Sequence, residues 1–274
     1  MIACAAGEVE YLRFDRLGQE AAVSHAVFTR RGGVSAAPFA SLNASISTGD
    51  EPAAVHENRH RMAAVLGLPL ISTRPVHDDT VVVVRPEGTG HAWVDRLRAT
   101  DADAMITDAS GFGLFWAFAD CVPILLYDPR HHAIALAHGG WRGTARAIAA
   151  KTVRAMSATF ATEPADLLAG IAPAIGDCCY RASDAMLERF HANDEAWASA
   201  CFTERPADAP GNDGPGTYLD LRAANRRQLL AAGLRPECIE MAEICTGCRR
   251  DLFYSHRMER GRTGRFGVAI GQAS

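Results

Sequence analysis

The chain has 274 residues, of which 48% are hydrophobic and 22% are charged, and its formal net charge is −4. This composition predicts a globular protein with a sizeable core, and the negative charge argues against general nucleic-acid binding, although local basic loops could still bind an anion. No apolar run has membrane-spanning length, and the N-terminus lacks a secretion-signal pattern. We therefore expect a cytoplasmic protein without a membrane partner.

Apolar runs and turn signals predict strands and helices along the whole chain. Many of the runs are continuously apolar, which is typical of sheets that are covered on both faces. The predicted strands are His25–Thr29, Thr80–Val84, Ala104–Thr107, Leu114–Phe118, Pro123–Tyr127, Ala133–Ala137, Leu167–Ile171, Ile239–Glu243 and Phe266–Ile270. The predicted helices are Ala53–Leu66, Trp141–Phe160, Ser183–Ala192 and Leu219–Ala232. This alternation predicts a layered α/β sandwich formed by one domain, residues 1–274.

One long stretch interrupts this alternation. Residues 204–216 read ERPADAPGNDGPG, a composition typical of a flexible surface loop that could act as a lid. Strand-like and helix-like segments continue on both sides of it, so we place no domain boundary there.

An arginine-glycine run follows the first predicted strand. The sequence TRRGGVS begins at Thr29, and arginines beside paired glycines suit oxyanion binding, because glycine allows close backbone approach while Arg30 offers a planar set of donors. A plain basic turn is the alternative interpretation. The next loop, PFASLN, ends in Asn43 and adds further hydrogen-bonding capacity.

The first predicted helix contains HENRH, which matches the HExxH pattern of zinc peptidases. Helical periodicity places His56 and His60 on the flank toward solvent, so we interpret them as surface histidines. Arg59 lies close to the apolar stripe of the same helix. A guanidinium on the core side usually has an anionic partner, either a structural carboxylate or a substrate phosphate.

The segment from Phe118 to Thr144 carries the clearest functional signal. Cys121 follows the apolar run LFWAFAD, and His138 ends the apolar run AIALAH. Two buried strands that end side by side would bring this thiol and this imidazole to one edge of a sheet. Such a pair suits either a metal site or a Cys/His nucleophile pair. The glycines after His138 allow a tight turn into the next helix and leave room for a ligand.

His77 precedes an apolar β-branched run in RPVHDDTVVVV. A lone histidine at the start of a strand is more often a surface or capping residue than a ligand. Together with Cys121 and His138, however, it would complete three protein ligands with a fourth position open, which is the pattern of catalytic zinc. Sequence separation alone does not bring the three together.

The chain contains eight cysteines. In a cytosolic protein of this size, cysteines are more often core residues, metal ligands or nucleophiles than disulfide partners. Cys245 and Cys248 form the one CxxC, which does not by itself predict a structural zinc ribbon. A bridge between the neighbours Cys178 and Cys179 would close a strained ring. We assign neither pair a role from sequence.

Taken together, these segments resemble the YfiH family, formerly called the polyphenol oxidase laccase domain and associated with purine nucleoside phosphorolysis. The resemblance extends from about Phe28 to Ile270. Small departures occur, such as HGGW where the family commonly has HAGW. The motifs that carry it are TRRGGVSAAPFASLN, HENR, VH with a following strand, DADAMIT, FADCVPILLYDP, AHGGWRGT, IAPAIGDCCY, LDLRAANRRQL and ICTGCRRDLFYSHRMERGRTGRFGVAI.

The resemblance implies a single α/β/α layered sandwich with mixed sheets, distantly like the cysteine-hydrolase toxin domains. It also implies a Zn²⁺ bound by His77, Cys121 and His138, which would be both metal ligands and catalytic residues; Cu could occupy the same site because it binds such ligands tightly. The implied reaction is phosphorolysis of purine nucleosides (adenosine, inosine and methylthioadenosine), with some adenosine deaminase activity. The oligomeric state remains unknown from sequence.

Four further residues are predicted to contact phosphate or ribose, because guanidinium and amide donors suit these groups. Arg142 could instead pair with a carboxylate near the start of its helix. The four residues are Arg30, Asn43, Arg59 and Arg142.

Three other classes of function remain open. A copper-dependent polyphenol oxidase needs a type 1 site and a trinuclear cluster built mainly from closely spaced histidine pairs, whereas the ten histidines of this chain include no HxH pair. A Cys/His hydrolase acting in peptidoglycan precursor editing is the second alternative. It would use Cys121 as nucleophile and His138 as base. A non-catalytic binding module is the third alternative.

Overall fold

Two β-sheets lie face to face at the centre of the molecule in the computed structural model, which describes residues 1–85, 93–94, 100–192, 198, 200–206 and 214–273. The strands, in chain order, are Ile2–Ala6 (β1), Val9–Arg13 (β2), Val23–Phe28 (β3), Leu70–Ile71 (β4), Val81–Val83 (β5), Trp93–Val94 (β6), Ala104–Thr107 (β7), Phe112–Phe118 (β8), Val122–Asp128 (β9), Ala133–Gly139 (β10), Leu168–Ile171 (β11), Phe202–Arg205 (β12), Gly216–Leu219 (β13), Ile239–Met241 (β14) and Phe266–Gln272 (β15).

Both large sheets are mixed. Among the described residues, the first sheet has the order β1-β2-β3-β15-β8-β4-β6 and the second has the order β14-β11-β9-β10-β7-β5, while β12 and β13 form a separate hairpin. The first sheet is antiparallel from β1 to β8 and parallel beyond it. In the second sheet, β11 pairs with β14 and β5 with β7 in parallel.

Helices cover the outer faces of the two sheets. Pro52–Leu66 packs on the first sheet, whereas Ile148–Phe160 and Leu221–Ala231 pack on the second. Shorter helices span Asp15–Gln19, Trp141–Ala145 and Asp184–His191. No helix among the described residues is long and apolar enough to cross a membrane.

The core between the sheets consists of large apolar side chains from both of them, for example Trp116 of β8, Leu136 of β10 and Val268 of β15, all buried. Strands that are apolar on both faces need this double coverage. The mixed α/β layered fold predicted from sequence is therefore confirmed. Its β layer is double, so the layers run helix, sheet, sheet, helices.

The chain passes from the first sheet to the second at Ala119–Cys121, between β8 and β9. Asp120 has a positive φ of 82° at this crossing. β9 and β10 then form an antiparallel pair in which His138 lies opposite Pro123. The crossing therefore places Cys121 at the same edge as the end of β10. Val122 at the start of β9 lies opposite Gly139 at the end of β10. Cys121 and His138 therefore meet because β9 and β10 are antiparallel neighbours, and not because β8 and β10 lie side by side.

The prediction of one helix over Trp141–Phe160 was wrong. The helix ends at Ala145 and restarts at Ile148, because Ala147 adopts a left-handed conformation with φ 61°. Side chains from Leu221–Ala231 stabilise the break: Gln228 donates to the Thr144 carbonyl at 2.7 Å and accepts from the Ala149 N–H at 3.2 Å. A distant helix thus provides partners for backbone groups at the interruption.

The hairpin formed by β1 and β2 was missed by the sequence patterns, and it explains the paired glycines of TRRGGVS. A Cβ on Gly32 would collide with the Glu8 carbonyl in the hairpin turn, and one on Gly33 would collide with the Ser41 backbone. The glycines therefore serve close backbone packing here. The predicted lid, residues 204–216, begins in β12 and ends at the start of β13, and its central residues 207–213 lie outside the described residues.

In helix Pro52–Leu66, the two histidines face solvent and Arg59 faces the core, as the periodicity predicted. His56 and His60 are exposed, while Arg59 is only 5% exposed. The fully buried neighbour Asn58 was overlooked. Its side chain donates to Ser35 Oγ, the Ser41 carbonyl and the Asn43 carbonyl at 2.8–3.2 Å, and it accepts from the Val34 N–H at 2.9 Å. The amide of Asn58 therefore fixes the loop that precedes the helix.

Replacing Asn58 with alanine should lower the free energy of unfolding by about 3 kcal/mol, because several buried donors and acceptors lose their partner at once. Denaturant unfolding should show a lower midpoint with an unchanged slope. The matched control is His60→Ala on the same helix, where an exposed side chain is removed and a change within about 0.5 kcal/mol is expected. Equal midpoints for the two variants would contradict this role of Asn58.

Candidate metal centre

The structure brings His77, Cys121 and His138 together. Each offers one ligand atom, and these atoms lie within 4.8 Å of one another. The two imidazole rings meet edge to face, with 4.8 Å between their centroids. His138 is 6% exposed, Cys121 is half-buried and His77 is exposed. The group therefore opens toward solvent on the side of His77.

His77 reaches this group from a turn that precedes β5, where its backbone has a positive φ of 61°. Such a conformation is uncommon for a residue with a side chain and requires support from its surroundings. The next two residues provide part of it: Asp78 forms an ion pair with Arg146 and Asp79 forms one with Lys151. The main support comes from a residue that lies at the start of β7.

Asp103 is fully buried, and its carboxylate holds two of the three candidate ligands. Oδ1 accepts from the His77 N–H at 2.9 Å and contacts His138 Nδ1 at 2.8 Å, while Oδ2 accepts from the N–H groups of Val76 at 3.3 Å and Asp78 at 2.8 Å. A carboxylate on Nδ1 orients the ring so that Nε2 faces the other ligands, a common arrangement around metal-binding histidines. Asp103 escaped the sequence reasoning. An acid directly before a wholly buried strand was the available signal.

Cys121 and His138 each stabilise the charged form of the other. Burial opposes ionisation of the Cys121 thiol, but the charge of His138 and hydrogen bonds from His138 and His77 outweigh it and lower the pKa of Cys121 to about 6. Burial likewise disfavours the charged His138 ring, but Cys121 and Asp103 outweigh it and raise its pKa to about 10. Without an ion, the pair is therefore a thiolate beside an imidazolium at neutral pH.

Gly140 leaves space beside all three ligand side chains. A Cβ at this position would lie 3.3 Å from Cys121 Sγ, 3.4 Å from His77 Cδ2 and 3.6 Å from His138 Cε1. Two imidazole nitrogens and one thiolate suit zinc, and they also suit copper. The three side chains leave one side open, and the Asp103 carboxylate orients the His138 ring. This arrangement is consistent with a catalytic type of metal site.

Three of the four predicted phosphate or ribose contacts are engaged within the protein. Arg30 donates to the carbonyls of Ala40 and Arg250 and pairs with Glu259. Asn43 is fully buried, and its amide donates to the Ser45 carbonyl, Thr48 Oγ1 and Asp50 Oδ2. Arg59 Nε donates to the Ala44 carbonyl at 2.8 Å. Their contact with substrate stays a prediction.

Arg142 is the fourth candidate, and it follows His138 by four residues in the chain. It is exposed in the first turn after Gly140, and its guanidinium stacks over the Trp141 ring at 4.4 Å. The alternative of a carboxylate partner finds no support among the described contacts of Arg142, which are with this ring and, through its charge, with Tyr180.

Further basic residues near Cys121 were missed because they come from the far end of the chain. Arg265 is half-buried, donates to the Thr263 and Gly264 carbonyls and contacts His256 Nδ1. Burial lowers the pKa of Arg265, while the charges of Asp120 and Cys121 oppose that shift. Arg257 lies over the Tyr180 ring at 5.0 Å. The repeated arginines of HRMERGRTGR were the available signal.

A family model described as multi-copper polyphenol oxidoreductase laccase matches residues 24–273. The chain belongs to this laccase family. The resemblance to YfiH proteins is confirmed by a crystal structure of the Bacillus licheniformis hypothetical protein YfiH, with TM-score 0.83 and 32% identity over 97% of each chain. The YlmD structure from Geobacillus stearothermophilus gives TM-score 0.82 and 35% identity, covering 99% of this chain and 98% of that chain.

Curated relatives in the laccase family carry a different functional name. The purine nucleoside phosphorylase YlmD of Geobacillus stearothermophilus is 38% identical over 252 residues, which cover 89% of this chain and 88% of the relative. A purine nucleoside phosphorylase of Bacteroides thetaiotaomicron is 32% identical over 93% of both chains. The family description and the names of these relatives therefore point to two different chemistries.

Replacing Gly140 with alanine should weaken ion binding at this laccase-family site about tenfold, because the added methyl group crowds the Cys121 sulfur at 3.3 Å and the His77 ring at 3.4 Å. Gly140 has φ −70° and ψ 162°, which alanine adopts freely, so thermal stability should change little. The measurement is titration with Co²⁺, followed by its absorption spectrum.

Gly18→Ala is the control for this substitution, because a Cβ there meets only ordinary contacts, at 3.6 Å or more from the Arg13 side chain. Co²⁺ binding by Gly140→Ala equal to that of Gly18→Ala would show that the space beside Gly140 does not belong to an ion site.

Proposed function

We propose that this protein is a zinc-dependent purine nucleoside phosphorylase, which converts adenosine, inosine or methylthioadenosine and phosphate into the free base and the ribose 1-phosphate. The observation that carries the proposal is the convergence of His77, Cys121 and His138 within 4.8 Å, in a chain 38% identical to a relative named purine nucleoside phosphorylase YlmD. Zn²⁺ held by these residues would supply a Lewis acid that polarises phosphate or water.

The residues around the ion have separate tasks in this proposal. Asp103 holds the His138 ring and the His77 turn, so that both imidazoles keep a fixed orientation. Gly140 keeps the adjoining space open for a reactant. Phosphorolysis cleaves the bond between C1′ and the base through an oxocarbenium-like centre, so a phosphate held beside C1′ both attacks and offsets the developing charge.

For the phosphate we propose contacts from basic side chains at the edge of the site. Arg142 lies two residues after Gly140, and Arg257 and Arg265 lie close enough to interact with Tyr180, Asp120 or Cys121. Arginine suits this role because its planar donors match phosphate oxygens. Arg30, Asn43 and Arg59 remain predicted contacts from sequence. Their engagement inside the protein favours a structural role for them.

Adenosine deaminase activity at the same site is part of the proposal. A water in the open position could attack C6 of adenine, as in other zinc deaminases. The attacking water would give up a proton, and the amino group would leave as ammonia.

A second candidate is a Cys/His hydrolase, favoured by one observation, the lowered pKa of Cys121 beside His138. A thiolate next to an imidazolium, with Asp103 behind the ring, is also the arrangement of a nucleophile, a base and an orienting group. The copper oxidase suggested by the family description has less support. Of the two metal-binding groups found among the described residues, one contains two histidines and the other none.

The deciding experiment is metal analysis of freshly purified protein, followed by an assay for adenine and ribose 1-phosphate from adenosine and phosphate. His77→Ala and His138→Ala should each lose the zinc of this site and reduce turnover by at least about a hundredfold, with the fold retained. Surface variants His56→Ala and His60→Ala provide matched histidine controls, and they should keep full activity.

Each alternative gives a different result in this experiment. A metal-free protein that retains activity but loses it to a thiol alkylating agent is a Cys/His hydrolase. Oxygen consumption with a phenol that depends on added copper identifies the oxidase. Turnover retained in His77→Ala and His138→Ala contradicts the phosphorylase proposal.

A further inference from the structure

A second group of potential ligands lies outside the site described above. It consists of the Sγ atoms of Cys178, Cys179, Cys245 and Cys248, which lie within 4.8 Å of one another. The sequence showed one CxxC and one adjacent pair, and neither had a role alone. In the fold, the CxxC and the adjacent pair lie next to each other and form one group of four cysteines.

Parallel pairing of two strands accounts for this meeting. β11 and β14 run side by side, with Ala169 opposite Ile239 and Ile171 opposite Met241. An isolated bridge between Ala174 and Cys245 continues the pairing beyond the strand ends. Parallel strands deliver their following loops to the same edge. The two cysteine-bearing turns therefore lie next to each other.

The sulfur distances fit a tetrahedral thiolate site. Cys248 Sγ lies 3.5 Å from both Cys178 Sγ and Cys179 Sγ. Four sulfurs around Zn²⁺, each at about 2.3 Å, stand roughly 3.8 Å apart. A disulfide, by contrast, would bring its two sulfurs to about 2.05 Å, well short of the 3.5 Å separations found here. None of these four cysteines is in a disulfide.

The backbone is arranged to approach the sulfurs closely. The Gly176 N–H donates to Cys245 Sγ at 3.1 Å, and the Cys248 N–H is a further backbone donor to it. A Cβ on Gly247 would lie 3.0 Å from Cys179 Cβ, and one on Gly176 would lie 3.2 Å from Cys178 Sγ. N–H groups directed at a sulfur stabilise the thiolate, which is the form that binds metal.

We propose that Cys178, Cys179, Cys245 and Cys248 bind a second Zn²⁺ as a structural ion. Four thiolates without an open position are the pattern of structural zinc, and thiolate ligands select zinc over the harder divalent cations. Cys248 is exposed and Cys178 is half-buried, so the ion has a path from solvent, while Cys179 and Cys245 are buried on the inner side.

An ion at this position would also stabilise the residue that precedes Cys121 of the first site. Thr246, inside the CxxC, donates to Asp120 Oδ1 at 2.7 Å, and the Ile175 N–H donates to the Asp120 carbonyl at 3.0 Å. Asp120 Oδ2 accepts from the Arg257 N–H at 2.7 Å. A cross-link between the two turns therefore fixes Asp120, the residue directly before Cys121.

The test is zinc analysis of protein purified without added metal or chelator. We expect two zinc ions per chain in the wild type and one in Cys245→Ser/Cys248→Ser, while the control Cys4→Ser, which changes a cysteine outside the group, keeps two. The double variant His77→Ala/His138→Ala should keep one. Equal zinc content in wild type and Cys245→Ser/Cys248→Ser would overturn the proposal, as would a disulfide among the four cysteines.

A second measurement applies even where Cys245→Ser/Cys248→Ser does not fold. The His77→Ala/His138→Ala protein retains all four cysteines, so after exchange with Co²⁺ it should show the strong sulfur-to-cobalt absorption of a four-thiolate site. Absence of that band overturns the proposal. Zinc retained in this variant supports the four-cysteine site whether or not the wild type catalyses phosphorolysis, so the two proposals fail separately.

Discussion

Asp103 is fully buried, and its carboxylate accepts hydrogen bonds from the turn that carries His77 while it contacts the His138 ring. A buried carboxylate is costly unless it is well satisfied, and here three backbone N–H groups and one imidazole satisfy it. Burial opposes its ionisation, but the hydrogen bonds from His138 and from the backbone of Asp78 and His77 keep the pKa of Asp103 below its ordinary value. The same contacts that stabilise the charge therefore set the positions of two candidate ligands.

The crossing of the chain from one sheet to the other supplies the third ligand. Cys121 lies where the chain leaves β8 in one sheet and enters β9 in the other, and Asp120 occupies the turn with a positive φ. Its carboxylate accepts from Thr246 Oγ1 and the Arg257 N–H, and burial raises the pKa of Asp120 against the effect of those bonds. Asp103 thus positions two candidate ligands through direct contacts, and the bonds of Asp120 fix the residue next to the third.

The sequence predicted the strands around the site well, because β8, β9 and β10 are continuous apolar runs that end in polar residues. It also indicated Cys121, His138 and His77, and the structure brings these side chains together. It did not reveal Asp103, since one acid before a strand resembles an ordinary turn residue. Nor did it reveal the helix break at Ala147, which depends on Gln228 of a distant helix.

The four-cysteine group was hidden for a related reason. Its halves are far apart in sequence, and only the parallel pairing of β11 with β14 brings them together. Residues such as Arg59 and Asn43 show the opposite case. Their polar side chains in apolar or loop surroundings suggested ligand contacts, whereas the structure engages both with nearby protein groups. Local patterns identify polar residues with a special role, but the partner depends on contacts that are distant in the chain.

The most direct test of this account is the zinc affinity of Asp103→Asn, measured by chelator competition, with His77→Ala as the blank that lacks the first site. An amide keeps the shape of the carboxylate but presents N–H groups to the donors of the His77 turn and His138, so affinity at the first site should fall by about 10- to 100-fold. Asp101→Asn, an exposed acid paired with Arg74, should leave affinity unchanged. Equal affinity in Asp103→Asn and wild type would contradict the central role of Asp103.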